Sequence, residues 1–110
     1  MAIMEISVVP LGTGSTSFHR FVVKMQEVLA GLGLPYKLTD MGTLVEGDID
    51  TLMSTAKILH NVPFSMGEKR VYTAIKIDDR RDKEVHLGQK TSTVRQYLAE
   101  EDKGGLKYDI

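Results

Sequence analysis

The chain has no cysteine and no tryptophan, only three prolines, and 6% aromatic residues among its 110. Without cysteine there is no disulfide, no thiolate nucleophile and no thiolate metal site, so a cytoplasmic location is the default expectation. No uninterrupted apolar stretch approaches the ~20 residues of a membrane-spanning helix. The N-terminal MAIMEISVVPLG has no basic leader, and Glu5 and Pro10 break its apolar run, so a soluble, unprocessed chain with no membrane partner is expected. Neither sign of charge dominates. Lys and Arg number 14 against 15 Asp and Glu, a formal net charge of −1, and this lacks the basic coat that nucleic-acid binding demands. With 42% hydrophobic and 26% charged residues, residues 1–110 are expected to form one domain. From about 102 a loose tail is expected, although Leu106, Tyr108 and Ile110 could dock on a partner.

What is present alternates clearly. In MEISVVPL, Met4, Ile6 and Val8 fall on one side and Glu5, Ser7 and Val9 on the other, which predicts a strand with two unlike faces, ended by Pro10. GTGSTS offers a loop and several hydroxyl N-caps before a helix whose apolar residues Phe18, Phe21, Val22, Met25, Val28, Leu29 and Leu32 recur at helical spacing. Gly31 or Gly33 closes it. YKLTD and TLVEG form a hairpin about Met41 and Gly42. Asp48 or Asp50 caps a second helix with Ile49, Leu52, Met53, Ala56 and Leu59 as its stripe, and Pro63 kinks it or starts a new turn. VYTAIKID reads as a further strand, with Val71, Thr73, Ile75 and Ile77 opposite Tyr72, Ala74 and Lys76. Thr91 or Ser92 then caps a short helix through VRQYLAE.

This order predicts an α+β, ferredoxin-like βαββαβ sandwich: a four-stranded antiparallel sheet, two helices on one face, and a short C-terminal helix. The other sheet face would carry Ser7, Val9, Tyr72 and Ala74, too apolar to remain wholly in water. A second copy of the chain is the simplest cover.

No catalytic set emerges. GTGSTS lacks the third glycine of a dinucleotide fingerprint and the lysine of a P-loop; it is a plain turn, or an anion contact through Ser15 to Ser17. His19, His60 and His86 lie far apart with no ligand spacing, so no metal is expected. There is no nucleophile elbow, and a non-enzymatic protein without a cofactor is the expectation. Glu46 and Asp48 flank Gly47 and either cap the helix or bind a cation or amino group. After VYTAIKI come Asp78, Asp79, Arg80, Arg81, Asp82, Lys83 and Glu84 in succession. They form a solvated strand end, or, if the strand continues, alternate charges meet protein, partner or ligand.

VPLGTGSTS after the first strand, YKLTDMGTLVEGD at the hairpin and MGEKRVYTAIKIDDRRDK beyond the second helix, in this order and spacing, resemble the small thiamine-binding proteins related to YkoF. The resemblance covers nearly the whole chain. It implies a dimer that extends the sheet across subunits, a tetramer that stacks two such sheets on their open faces, and non-catalytic binding of thiamine or its hydroxymethylpyrimidine moiety by a carrier or sensor. Thiamine joins an aminopyrimidine to a cationic thiazolium, so a site needs hydroxyls or backbone groups, a carboxylate and an aromatic wall. The matching segments offer Ser7, Thr39 and Thr43, Tyr36 and Tyr72 as walls, and Glu46 or Asp78 for the amino group or cation. Ser15, Ser17, Arg80 and Arg81 would contact an anion or a neighbouring subunit. Pro63 in NVPFSMG departs from the family pattern. The alternative expectation is a structural or regulatory oligomer with no small-molecule ligand.

Overall fold

The computed structural model describes residues 1–103; of the expected tail, the part from 104 on, with Leu106, Tyr108 and Ile110, lies outside the described residues. The elements are β1 (Ala2–Pro10), α1 (His19–Leu32), β2 (Tyr36–Thr39), β3 (Gly42–Gly47), α2 (Ile49–Ser65), β4 (Val71–Asp79) and α3 (Gln89–Lys103). The four strands form one sheet in the order β2-β3-β1-β4, antiparallel at every junction. This is the ferredoxin-like α+β architecture.

The period of β1 decides where the core sits. Met4, Ile6 and Val8 are buried against Phe21, Met25 and Leu29 of α1 and Leu52, Ala56 and Leu59 of α2. Each of these side chains other than that of Ala56 contributes ~1.5–3 kcal/mol when fully buried. The intervening residues Ile3, Glu5, Ser7 and Val9 are half-buried on the opposite face, where Ser7 pairs with Ala74 and Val9 with Tyr72.

The helix ends correct several expectations. No side chain caps α1: Phe18 occupies the N-cap position. The GTGSTS hydroxyls sit too early in the chain and bond within the loop, Thr13 Oγ1 accepting from Ser15 N at 3.2 Å and Ser15 Oγ from Ser17 N at 3.1 Å. Gly33 closes α1 at φ 72, a left-handed conformation that glycine adopts without steric cost. α2 carries Pro63 within its final turns and runs on to Ser65, where the Pro63 carbonyl accepts from Met66 N and Glu68 N. α3 is longer than the sequence suggests and begins five residues before Val94. Thr91 donates its hydroxyl to the Gly88 carbonyl at 3.0 Å, and Ser92 N donates to the same oxygen at 2.9 Å, so both lie inside the first turn and neither caps it.

Asp48 caps α2 as expected, its carboxylate accepting from Thr51 N at 2.8 Å and from Thr51 Oγ1 at 2.9 Å. These bonds, the backbone one first, hold its carboxyl below the ordinary aspartate value of 3.8. A depressed folded-state value means stability present above the unfolded value and lost as pH falls through the folded one. Asp48→Ala is therefore expected to lower the thermal midpoint at neutral pH. Melting curves of the two chains should converge as pH is taken below the usual carboxylate range; a constant gap down to that range would deny the cap its charge dependence.

Unequal strand lengths leave a gap beside β1. The ladder between β1 and β4 is complete, from Ala2↔Asp79 to Pro10↔Val71. That between β1 and β3 stops at Ile6↔Thr43, because β3 begins only at Gly42. The second half of β1 therefore borders a notch in the sheet.

Candidate functional site

The notch opens into a cavity of about 330 Å3, within the size range of small-molecule sites. Phe18, Val22 and Met25 form its apolar bed, and Ser7, Thr39, Asp40 and Thr43 supply its polar rim. Each is placed for a local reason. β1 runs past the end of the hairpin and brings Ser7 alongside it. The two-residue turn at Asp40 and Met41 holds Thr39 opposite Gly42. The loop before α1 sets Phe18 at the helix entrance.

The hydroxyls at this rim are already oriented. Thr39 Oγ1 donates to the Gly42 carbonyl at 2.8 Å, so its lone pairs remain to accept from a guest. Thr43, on the buried side of β3, accepts from Gln26 Nε2 at 3.1 Å, which leaves its own proton to donate.

Glu46 lies elsewhere. It is 6% exposed, and its Oε1 accepts from His86 Nδ1 and from Leu87 N, both at 2.9 Å. A carboxylate buried this far needs such donors, and they tie the segment after β4 down across the open sheet face. Beneath that segment lies a second cavity of about 420 Å3, with Ile3, Leu44 and Leu87 as apolar surface and Asp78 at its side. Lys90 Nζ closes on Asp78 at 2.6 Å.

Of the residues expected at a ligand site, Ser7, Thr39 and Thr43 are thus brought together; Asp78 borders the other cavity, and Glu46 does not line it but anchors His86 and Leu87, which do. Tyr36 and Tyr72 line neither; Tyr72 is 65% exposed on the open face. Ser15 and Ser17 border a separate hollow with His19 and Arg20, where Ser17 Oγ meets His19 Nδ1 at 2.9 Å. Arg80 and Arg81 pair within the chain, with Asp82 at 2.6 Å and Asp79 at 2.9 Å. Those hydrogen bonds hold both aspartates below their usual carboxylate value. β4 itself ends at Asp79, so the strand does not carry the arginines onto its faces.

The profile of a family described as Thiamine-binding protein matches residues 4–95. The chain belongs to that family. It is 39% identical over 102 residues to a UPF0045 protein of Staphylococcus xylosus, covering 89% of this chain and 95% of the relative. It is 42% identical over 99 residues to a UPF0045 protein of Methanothermobacter thermautotrophicus, covering 89% and 100%. Among solved structures, a hypothetical protein of Methanocaldococcus jannaschii superposes with TM-score 0.77 at 33% identity, over 86% of this chain and 96% of the other. A Thermotoga maritima protein assigned provisionally to thiamine biosynthesis or salvage shares the fold, with TM-score 0.70 at 23% identity over 86% and 98%.

In this member of the thiamine-binding family, sequence reasoning misses Phe18 and Asp40 at the cavity. Asp40 is legible as the turn residue between two chosen neighbours, Thr39 and Thr43. Phe18 reads as helix stripe, and only the fold shows it at the helix entrance facing the notch. No helix among the described residues is long and apolar enough to cross a membrane.

Proposed function

We propose that the chain binds thiamine or its hydroxymethylpyrimidine moiety in the notch, without transforming it, as a cytoplasmic carrier or sensor. The observation that carries this reading is the meeting of Thr39, Thr43 and Asp40 with the Phe18 wall in one cavity, in a chain of the thiamine-binding family. The hydroxyls read the edge of the pyrimidine, Phe18 covers a ring face, and the Asp40 carboxylate faces the cationic thiazolium at the mouth. Asp78 borders the second cavity, and Glu46 anchors the segment that covers it.

Assembly belongs to the same reading. Tyr72 stands exposed on the open face beside the half-buried Val9, and Val94, Tyr97 and Leu98 form an exposed apolar stripe on α3. Such surfaces favour contact with a second copy, as a dimer by sheet extension and a tetramer by stacked sheets. These surfaces equally suit the rival, an oligomer with no ligand. Arg80→Ala and Arg81→Ala that break up assembly, as seen by sedimentation, in a chain with no measurable ligand binding would favour that rival.

Calorimetry decides the ligand. Both thiamine and hydroxymethylpyrimidine are expected to bind, and Asp40→Asn should weaken thiamine about fivefold, an exposed ion pair of ~1 kcal/mol. The uncharged pyrimidine should be unaffected. No heat and no thermal shift with either compound, well above micromolar concentration, would overturn the reading.

A further inference from the structure

In an antiparallel ladder, alternate residues turn both N–H and C=O toward the same neighbouring strand. Leu11 N donates to the Arg70 carbonyl at 2.8 Å, one step beyond the Pro10↔Val71 pair. The hydrogen-bonded partners of β4 on β1 are therefore Val9, Ser7, Glu5 and Ile3. The even-numbered residues turn to β3, where Ala2, Met4 and Ile6 meet Gly47, Val45 and Thr43. Val8 turns the same way, but the position opposite it in register is Met41, which belongs to the turn between β2 and β3. No backbone hydrogen bond joins Val8 to that turn.

Val8 lines the notch cavity, and its 6% exposure shows a residue fixed by packing. Its backbone cannot swing away as a loop would. Pro10, next on the same edge, has no N–H. The notch therefore presents one backbone donor, Val8 N–H, beside one backbone acceptor, Val8 C=O. A peptide group left unmatched in a closed site is costly, so whatever fills the cavity is selected for matching it.

Resting on the reading of this cavity as the pyrimidine site, we propose that the Val8 peptide edge is its specificity-determining element. It selects a heteroaromatic ring with an acceptor nitrogen next to an exocyclic amino donor. An aminopyrimidine meets it with both groups: the ring nitrogen accepts from Val8 N–H and the amino group donates to Val8 C=O. In the oxo analogue the ring nitrogen carries a proton and the exocyclic group accepts. Donor then faces donor and acceptor faces acceptor, the kind of mismatch that sites built on hydrogen bonds reject strongly. The hydroxyls of Thr39 and Thr43 discriminate less, because each is oriented by a single bond, to the Gly42 carbonyl and from Gln26, that a guest can displace so that the hydroxyl turns to donate or accept, whereas the peptide edge cannot turn.

The test compares thiamine with oxythiamine, in which a carbonyl oxygen replaces the amino group, by calorimetry, with amide NMR of the labelled protein as a second readout. The amino compound is expected to bind on the order of 10²-fold more tightly or better, as two unmatched buried polar groups require, to shift the Val8 amide resonance and to slow its hydrogen exchange. Equal affinities would overturn the proposal while leaving the pyrimidine site standing. An amino preference with the Val8 amide unmoved would also overturn it and assign the discrimination to side chains. Binding of neither compound would remove the site and the proposal together.

Discussion

Gly42→Ala is expected to lower the stability of the fold by about 1–3 kcal/mol, the usual cost of forcing an atom into a filled space. A Cβ at this position would lie 2.9 Å from the Ile6 carbonyl oxygen and 3.4 Å from Glu5 Cγ. The side chain of Glu5 could move. The Ile6 carbonyl is main chain in the last pair of the β1–β3 ladder, so relief requires the hairpin to back away from β1. Denaturant unfolding reads the loss. Gly31→Ala provides the contrast: nothing lies within 4 Å of its added Cβ, and alanine in a helix should stabilise by up to ~1 kcal/mol. If both variants unfolded like the parent, the close approach of hairpin and strand would be wrong. Because Gly42 borders the notch, its substitution should also weaken any ligand held there.

Glu46→Ala should destabilise by about 1.5–3 kcal/mol, the range for hydrogen bonds to a charged group. The variant removes the acceptor of both His86 Nδ1 and Leu87 N, and Leu87 N–H loses its partner as well as its anchor. Hydrogen exchange distinguishes this from a general loss of packing. The Leu87 amide should exchange much faster in Glu46→Ala, whereas Met4, in the middle of the β1–β3 ladder, should change only as global stability does. Glu46→Gln keeps an oxygen acceptor for Leu87 and should lose less. An unchanged Leu87 exchange rate in the alanine variant would show that Glu46 does not hold the segment.

Local periodicity makes much of this fold legible. The alternation of β1, the stripe of α1, the turn at Met41 and the Asp48 cap all depend on residues within one turn or one strand of each other. The notch depends on the lengths of two elements that meet only in space: β1 runs four residues past its last pair with β3, and neither strand alone reveals the register. Glu46 and His86 lie 40 residues apart, so the bond that occupies this carboxylate has no local signature. The start of α3 escapes sequence reasoning for the opposite reason. Thr91 and Ser92 are good caps by type, but Gly88 takes a positive φ of 81 and turns the chain into the helix before they are reached. The charges after Ile77 suggest distant partners by their density; Arg80 and Arg81 instead meet carboxylates two residues away.

The sheet has two unequal borders. β2 is four residues long, whereas β4 is nine, and no strand among the described residues pairs with its outer side. A long edge strand with a VYTAI core is a template on which further chains can polymerise. The charges at its end act as gatekeepers: Lys76, Asp78 and Asp79 are three of the last four residues of β4, and a strand added there in register would have to face or desolvate them. Neutralising Lys76, Asp78 and Asp79 together should therefore show itself as fibril growth or precipitation during refolding, before any change in the folded structure.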